Sequence, residues 1–266
     1  MRIFNRTFSI REIPSKILMI LLMVFRTIIL FKKPIRLLVH YIKSKPLSEQ
    51  VVEFRNGRKI LLSKYPHDLI TIMVIFGKRE YGDVPNNGTV LDIGSNIGVY
   101  SIFAKLNGAN NVIAFEPNIE AYNILQKNIF ENRFDDSIIA VNMAVSDVDN
   151  AHVWISRESN PNNSIIDYGK NADKEGMDQV RTISLKSILF KYELTFIDLM
   201  KIDCEGAEYK FIEAGEIDSY NKIDRIRFEY HRGTDRLTKH LQKFGFSMEK
   251  YYPDNERVGR VFYYKK

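Results

Sequence analysis

A doubly wound α/β sheet is the fold class that the sequence predicts, and three observations predict it. From Thr89 onward, short apolar β-rich runs alternate with stretches of helical periodicity. One junction, VLDIGSNIGVYS (Val90 to Ser101), passes from an apolar strand through an acid and two glycines into a helix start. Many α/β proteins receive a nucleotide-like ligand at such a junction. At the far end, FSMEKYYP and RVGRVFYYKK are separated by Asp254 to Gly259 alone, with no crossover helix, so the last two strands must form an antiparallel hairpin.

A chain of 266 residues holds one such domain and a short appendage. The expected division is a basic, apolar helical segment over residues 1–45 and an α/β domain over 46–266. The absence of any Gly-, Pro- or Ser-rich tract argues against a long disordered region. Cys204 is the single cysteine, which excludes an intrachain disulfide and a Cys-based zinc site. It fits a reducing, cytoplasmic setting.

The first element is the apolar run Ile17 to Phe31, broken by Arg26 and Thr27 alone, with Arg2, Arg6, Arg11 and Lys16 before it and Lys32, Lys33 and Arg36 after it. As a helix it would be roughly 22 Å long, too short for a bilayer core of ~30 Å, and Arg26 opposes spanning. No small-x-small cleavage pattern follows, so a cleaved signal peptide is not expected. Residues 1–50 carry ten Lys and Arg against Glu12 and Glu49, leaving the remainder of the chain slightly acidic. Two readings stay open for residues 13–45. The helix and its continuation, Ile35 to Ile42, pack on the main domain or a second subunit, or they lie at a membrane surface and hold the protein there peripherally. Because the basic residues do not form a stripe over the folded domain with aromatics between them, no nucleic-acid partner is expected.

Next, VVEFRNGRKILL alternates on either side of Asn56-Gly57, the pair favoured in a type I′ hairpin turn. A helical stretch over Asp68 to Phe76 follows. Strands are then expected at 89–93, 111–116, 138–145, 199–203, 225–230, 247–252 and 260–264. Helices fall at 99–106, 119–131, 185–192, 209–214 and 235–244. His152 to Ile155 and Gln179 to Ile183 read as an inserted hairpin or edge pair. The polar, Asn-rich connection Ser156 to Asp178 is a candidate substrate cover with Ser164 near the site, or a plain solvated loop.

In an open parallel sheet the ligand sits beyond the carboxyl ends of the strands. Asp92, Gly94, Ser95, Asn96 and Gly98 form the first strand end, and its two glycines permit a tight turn. A dinucleotide fingerprint needs three glycines, but Asn96 and Val99 occupy the second and third positions, which argues against NAD. Glu116 closes the second strand, where an acid accepts hydrogen bonds from both ribose hydroxyls. The competing reading is a helix N-terminal charge, since Pro117 and Asn118 open the next helix.

VLDIGSNIGVYS, AFEPN and DLMKIDCEGAEYKFI together resemble the FkbM family of S-adenosylmethionine-dependent methyltransferases. The resemblance runs over roughly residues 51–250 and includes Tyr81, Ala144 to Asp147 and Glu229-Tyr230-His231. It implies a class I, Rossmann-like methyltransferase fold with seven strands in the order 3-2-1-4-5-7-6. It also implies S-adenosyl-L-methionine as cofactor and methyl transfer to a hydroxyl of a glycan, a glycolipid or a natural-product-like metabolite. Carried onto this sequence, it makes Asp92, Gly94, Asn96 and Gly98 the cofactor loop and Glu116 the ribose ligand. Asn118 would then cap the following helix near the adenosine, and Ala144, Val145 and Asp147 would border the adenine.

Asp203 and Glu205 fall on one side of a strand end, with Gly206 allowing the chain to turn. Two adjacent acids are costly without a cation or shared proton. One reading makes either of them a general base, or with His231 a ligand set for a divalent metal. The other has Glu205 capping the next helix while Asp203 braces the cofactor loop. His231, in FEYHRG, is the general-base candidate by its intrinsic pKa, and Glu229 lies two residues earlier, where it would orient the ring. A nicotinamide-dependent oxidoreductase and a non-catalytic membrane-associated scaffold are the alternative functions.

Overall fold

The computed structural model describes residues 2–3, 6–7, 13–157, 176–204 and 207–266. They fall into two compact units, Met1–Gly82 and Asp83–Lys266.

The first unit contains a two-residue strand pair, β1 (Arg2–Ile3) with β2 (Arg6–Thr7), and then α1 (Ile13–Leu30) and α2 (Pro34–Lys43). Pro34 opens α2 at a position where its missing N–H costs nothing. The hairpin β3 (Val51–Glu53) with β4 (Lys59–Leu61) turns through Gly57 at φ +87. α3 (His67–Ile72) follows and runs on as one π-helical stretch, Met73–Lys78.

The sequence places a boundary near residue 45, whereas this unit extends to Gly82. Its aromatic centre supplies the reason. Phe31, Phe54 and Phe76 meet with ring centroids 4.7 Å (Phe31 to Phe54) and 4.9 Å (Phe54 to Phe76) apart. Around them, the Lys32 N–H donates to the Glu53 carbonyl (3.0 Å) and the Arg55 N–H to the Leu30 carbonyl (2.8 Å), stitching the end of α1 to the hairpin. Among the described residues, no helix is long and apolar enough to cross a membrane.

The second unit alternates as the periodicity predicts. Its first half is β5 (Thr89–Ile93), α4 (Val99–Leu106), β6 (Asn111–Phe115), α5 (Ile119–Glu131) and β7 (Ile138–Val141). β8 (Ala144–Val145), β9 (His152–Ser156) and β10 (Met177–Ile183) come next. Then follow α6 (Leu185–Lys191), β11 (Ile197–Ile202), α7 (Glu208–Glu213), α8 (Ile217–Tyr220) and β12 (Ile223–Tyr230). The chain closes with α9 (Asp235–Lys243), β13 (Phe246–Pro253) and β14 (Gly259–Lys265).

Seven strands pair in the order β7-β6-β5-β11-β12-β14-β13. The first five are mutually parallel, and β14 runs antiparallel between β12 and β13, as the missing crossover requires. Val90 and Leu91 on β5, and Leu199 and Met200 on β11, are successive residues whose side chains point to opposite faces, and all four are buried, the pattern of strands covered on both faces.

The strand expected over 138–145 is divided in two. β7 stops at Val141, because the Asn142 amide turns away to donate to the carbonyls of Glu116 and Pro117, both at 2.9 Å. β8 then joins a separate three-stranded sheet, β8-β10-β9. There β10 pairs parallel with β8 and antiparallel with β9.

Candidate functional site

Because β5, β6, β11 and β12 run parallel, their carboxyl ends share one edge of the sheet, and Gly94 to Gly98, Glu116, Asp203 and His231 follow those ends. Beyond β5 the chain makes a tight turn. Gly94 sits at φ +74, and a Cβ there would overlap the backbone carbonyl oxygen of Asp203, so no other residue fits. The Gly94 and Ser95 N–H groups both donate to the Phe115 carbonyl at 3.0 Å, and the Asp203 N–H donates to the Ile93 carbonyl at 3.0 Å. Asn96 (φ +49) and Gly98 (φ +86) complete the turn, and Gly98 caps α4 against the Leu125 side chain.

Asp92 is fully buried and braces this loop from beneath. Ser101 Oγ donates to its Oδ2 (2.6 Å), and Lys201 Nζ lies 3.1 Å from its Oδ1. The same ammonium donates to the Gly94 carbonyl (2.8 Å) and stands 3.8 Å from Asp203 Oδ2. Burial alone would lower the pKa of Lys201, but the Asp92 and Asp203 carboxylates outweigh it and hold the pKa above its ordinary value. One buried cation thus ties the loop to β11. Sequence reasoning missed Lys201, whose only local signal is a lysine inside the apolar run IDLMKI.

Glu116 follows β6 and is 7% exposed. The Asn96 N–H donates to its Oε2 (2.7 Å) and the Asn118 N–H to its Oε1 (2.8 Å). Burial pushes its pKa up to about 7 against the pull of those two N–H groups. Each carboxylate oxygen keeps a second acceptor direction for a diol. Asn118 caps α5 through the Ala121 N–H (3.0 Å), and its amide donates to the carbonyls of Ser156 (2.9 Å) and Arg157 (3.1 Å). Ser95 Oγ and Asn96 Oδ1 are buried polar atoms with no hydrogen-bond partner among the described residues, which a polar ligand in the loop would satisfy. Pro117 lies between β6 and α5, and its carbonyl accepts from the Asn142 amide (2.9 Å). Ala144 and Val145 are buried in β8, while Asp147 is exposed and accepts from Ser146 Oγ (2.8 Å).

Farther along the edge, Asp203 closes β11 with its side chain 29% exposed. Glu205 and Gly206 lie outside the described residues, as does Ser164 in the connection that the sequence offers as a substrate cover. His231 follows β12, and its Nδ1 is 3.1 Å from Oε1 of Glu208, a fully buried carboxylate opening α7. Glu229, expected to orient this ring, instead lies 3.9 Å from Arg260 on the neighbouring strand β14. β12 ends at Tyr230, so the two-residue strand alternation does not carry over to His231, which turns toward α7. Cys204 Sγ reaches the other Glu208 oxygen at 3.9 Å. Tyr209 Oη donates to the Gly233 carbonyl (2.7 Å) and accepts from the Arg232 N–H (2.8 Å), fixing the loop that bears the histidine.

Imidazole held at Nδ1 by a carboxylate presents Nε2 as the basic nitrogen, the arrangement of a general base. Among the described residues, no three His, Cys, Asp or Glu side chains come together as a metal-binding group. Tyr81 belongs to the first unit and is buried.

Residues 92–248 match the Methyltransferase FkbM domain family. Methyltransferase sdnD of Sordaria araneosa is 24% identical over 178 residues, 56% of this chain and 69% of that protein. Among solved structures, Methyltransferase FkbM from Methylobacillus flagellatus KT is similar over 96% of this chain and 60% of its own, with 11% identity and a TM-score of 0.45. M. capricolum TrmK, solved in complex with S-adenosyl-homocysteine, is similar over 68% of this chain and 63% of its own, with 14% identity and a TM-score of 0.44.

Proposed function

We propose that this chain, which belongs to the FkbM family of methyltransferase domains, moves a methyl group from S-adenosyl-L-methionine to a hydroxyl oxygen of a glycan, a glycolipid or a natural-product-like metabolite. The observation that carries the hydroxyl acceptor is the Glu208–His231 pair on the same sheet edge as the Gly94–Gly98 turn.

The cofactor, when bound, supplies an electrophilic methyl on a sulfonium. Everything else falls to the chain. Glu116 accepts from the two ribose hydroxyls, and the orphaned Ser95 Oγ and Asn96 Oδ1 give the turn further polar contacts. Asp92 is already engaged by Lys201 and Ser101, so its part is to hold the turn in shape.

On the acceptor side, His231 Nε2 takes the hydroxyl proton as charge develops on oxygen. Glu208 keeps the ring in that tautomer and stabilises the imidazolium that forms. Because it is fully buried, Glu208 meets that cation with little screening by water.

The test is radiolabelled methyl transfer into fractionated glycan, lipid and small-molecule extracts, followed by mild alkali. Label that survives alkali as an ether is the expected product. His231→Ala should slow transfer by ~10²–10⁴ while leaving cofactor affinity unchanged, and Glu208→Gln should slow it less. Label released as methanol from an ester, or undiminished transfer by His231→Ala, would overturn the assignment.

A further inference from the structure

The N-terminal helix is turned inside out. Arg26 and Thr27, the polar residues within the run Ile17 to Phe31, point into the first unit. Arg26 Nη1 donates to the Gly77 carbonyl (2.9 Å), and Thr27 is fully buried, with its hydroxyl donating to the Met23 carbonyl (2.7 Å). Met23 packs beside them, so close to Gly77 that a Cβ there would stand 2.7 Å from Met23 Cγ. The opposite arc of the helix carries Leu18, Leu21, Phe25, Ile28 and Ile29, which are 46–60% exposed. These positions recur at intervals of three and four, so they form one stripe. α2 repeats the arrangement, with Leu37 buried and Ile35, Val39 and Ile42 exposed at 76%, 41% and 60%. A helix facing only water would place its arginine outward and these side chains inward. Apolar faces of this kind mark interaction surfaces.

We propose that this outer face of α1 and α2 seats in the interface of an anionic lipid bilayer, lying along the membrane plane. Charge selects lipid as the occupant. Residues 1–82 contain sixteen Lys and Arg against five Asp and Glu, a net +11, whereas residues 83–266 carry −5. A second copy docking through the same face would set +11 against +11. Some of the cations are matched internally: Lys33 and Arg36 share Glu49, and Lys32 faces Glu53. Lys43 and Lys45 are exposed at the end of α2, and the sequence places Arg2, Arg6, Arg11 and Lys16 before or at the start of α1. An apolar face flanked by basic residues suits phosphate-bearing head groups over acyl chains.

The full chain is tested by flotation with phosphatidylcholine vesicles, with and without phosphatidylglycerol, alongside its mass in solution. The expected result is flotation with the anionic vesicles and about tenfold less with the neutral ones. Leu21→Glu/Phe25→Glu, and separately Ile35→Glu, should abolish flotation with the melting temperature unchanged, since all three side chains lie largely in solvent. Three results would overturn the proposal. One is wild-type protein that remains in the aqueous fraction with both vesicles; another is flotation that survives these substitutions. The third is a dimer that the substitutions convert to monomer, which would make the face a contact between copies.

Discussion

Replacing Glu116 by Gln separates ligand binding from stability, because the two respond with opposite sign. The carboxyl has a folded-state pKa of about 7 against an ordinary 4.5, with burial as the main cause. Ionising it in the folded protein therefore costs about 3 kcal/mol. For an acid whose folded pKa is raised, the stability contribution is complete below ~4.5 and is lost as pH rises through ~7. Gln has no such slope, but it sets an amide N–H against one of the two backbone donors, Asn96 or Asn118, at a cost of ~1–3 kcal/mol. Ligand-free Glu116→Gln should thus be less stable than wild type near pH ~5 and equal or better near pH ~8. Cofactor binding moves the other way. Two hydroxyls donating to an ionised carboxylate gain ~1.5–3 kcal/mol each relative to water, so loss of the charge should raise Kd by at least about 30-fold at pH ~8. Below pH ~7 the wild-type Kd should rise about tenfold per unit as the carboxyl takes up its proton, while that of the variant stays flat. Calorimetric titration with S-adenosylmethionine and thermal melts over this pH range check both halves. A variant that binds within about twofold of wild type, or that loses more than ~2 kcal/mol at pH ~8, would refute the reasoning.

Two further outcomes follow from the loop and its buried cation. Gly94→Ala forces an L-residue to φ +74 and drives its Cβ into the Asp203 carbonyl, so the β5 and β11 ends must separate. It should lose more than ~2 kcal/mol by denaturant titration together with measurable cofactor binding. Lys201→Met leaves the buried Asp92 without its ammonium and should cost ~3–5 kcal/mol near neutral pH, whereas Asp92→Asn/Lys201→Met should recover most of it.

The elements that the sequence located closely carry their signals locally. α4 and α5 begin at the caps Gly98 and Asn118 and run to Leu106 and Glu131. The antiparallel end of the sheet was legible because Asp254 to Gly259 is too short for a crossover. What escaped was long-range. Lys201 acts on a carbonyl 107 residues away, and Glu208 meets an imidazole 23 residues on. Nothing beside either residue announces the partner. Asn142 looked like part of a strand, and only the carbonyls at the end of β6 explain why it breaks one. Exposure of the α1 stripe was hidden too, since nine consecutive apolar residues leave the direction of the helix undetermined until Arg26 finds Gly77.

That last contact sets a limit on dissection. A chain shortened to begin after α2 would lose Phe31 from beside Phe54 and Phe76, Met23 from beside Gly77, and the carbonyl of Leu30 that receives the Arg55 N–H. What was left of the first unit would present a fresh greasy trough of its own, adhesive to detergents, chaperones and plastic alike. The N-terminal helices are at once the wall of a small core and a tacky outer skin, and single outward-facing substitutions can remove the second without breaching the first.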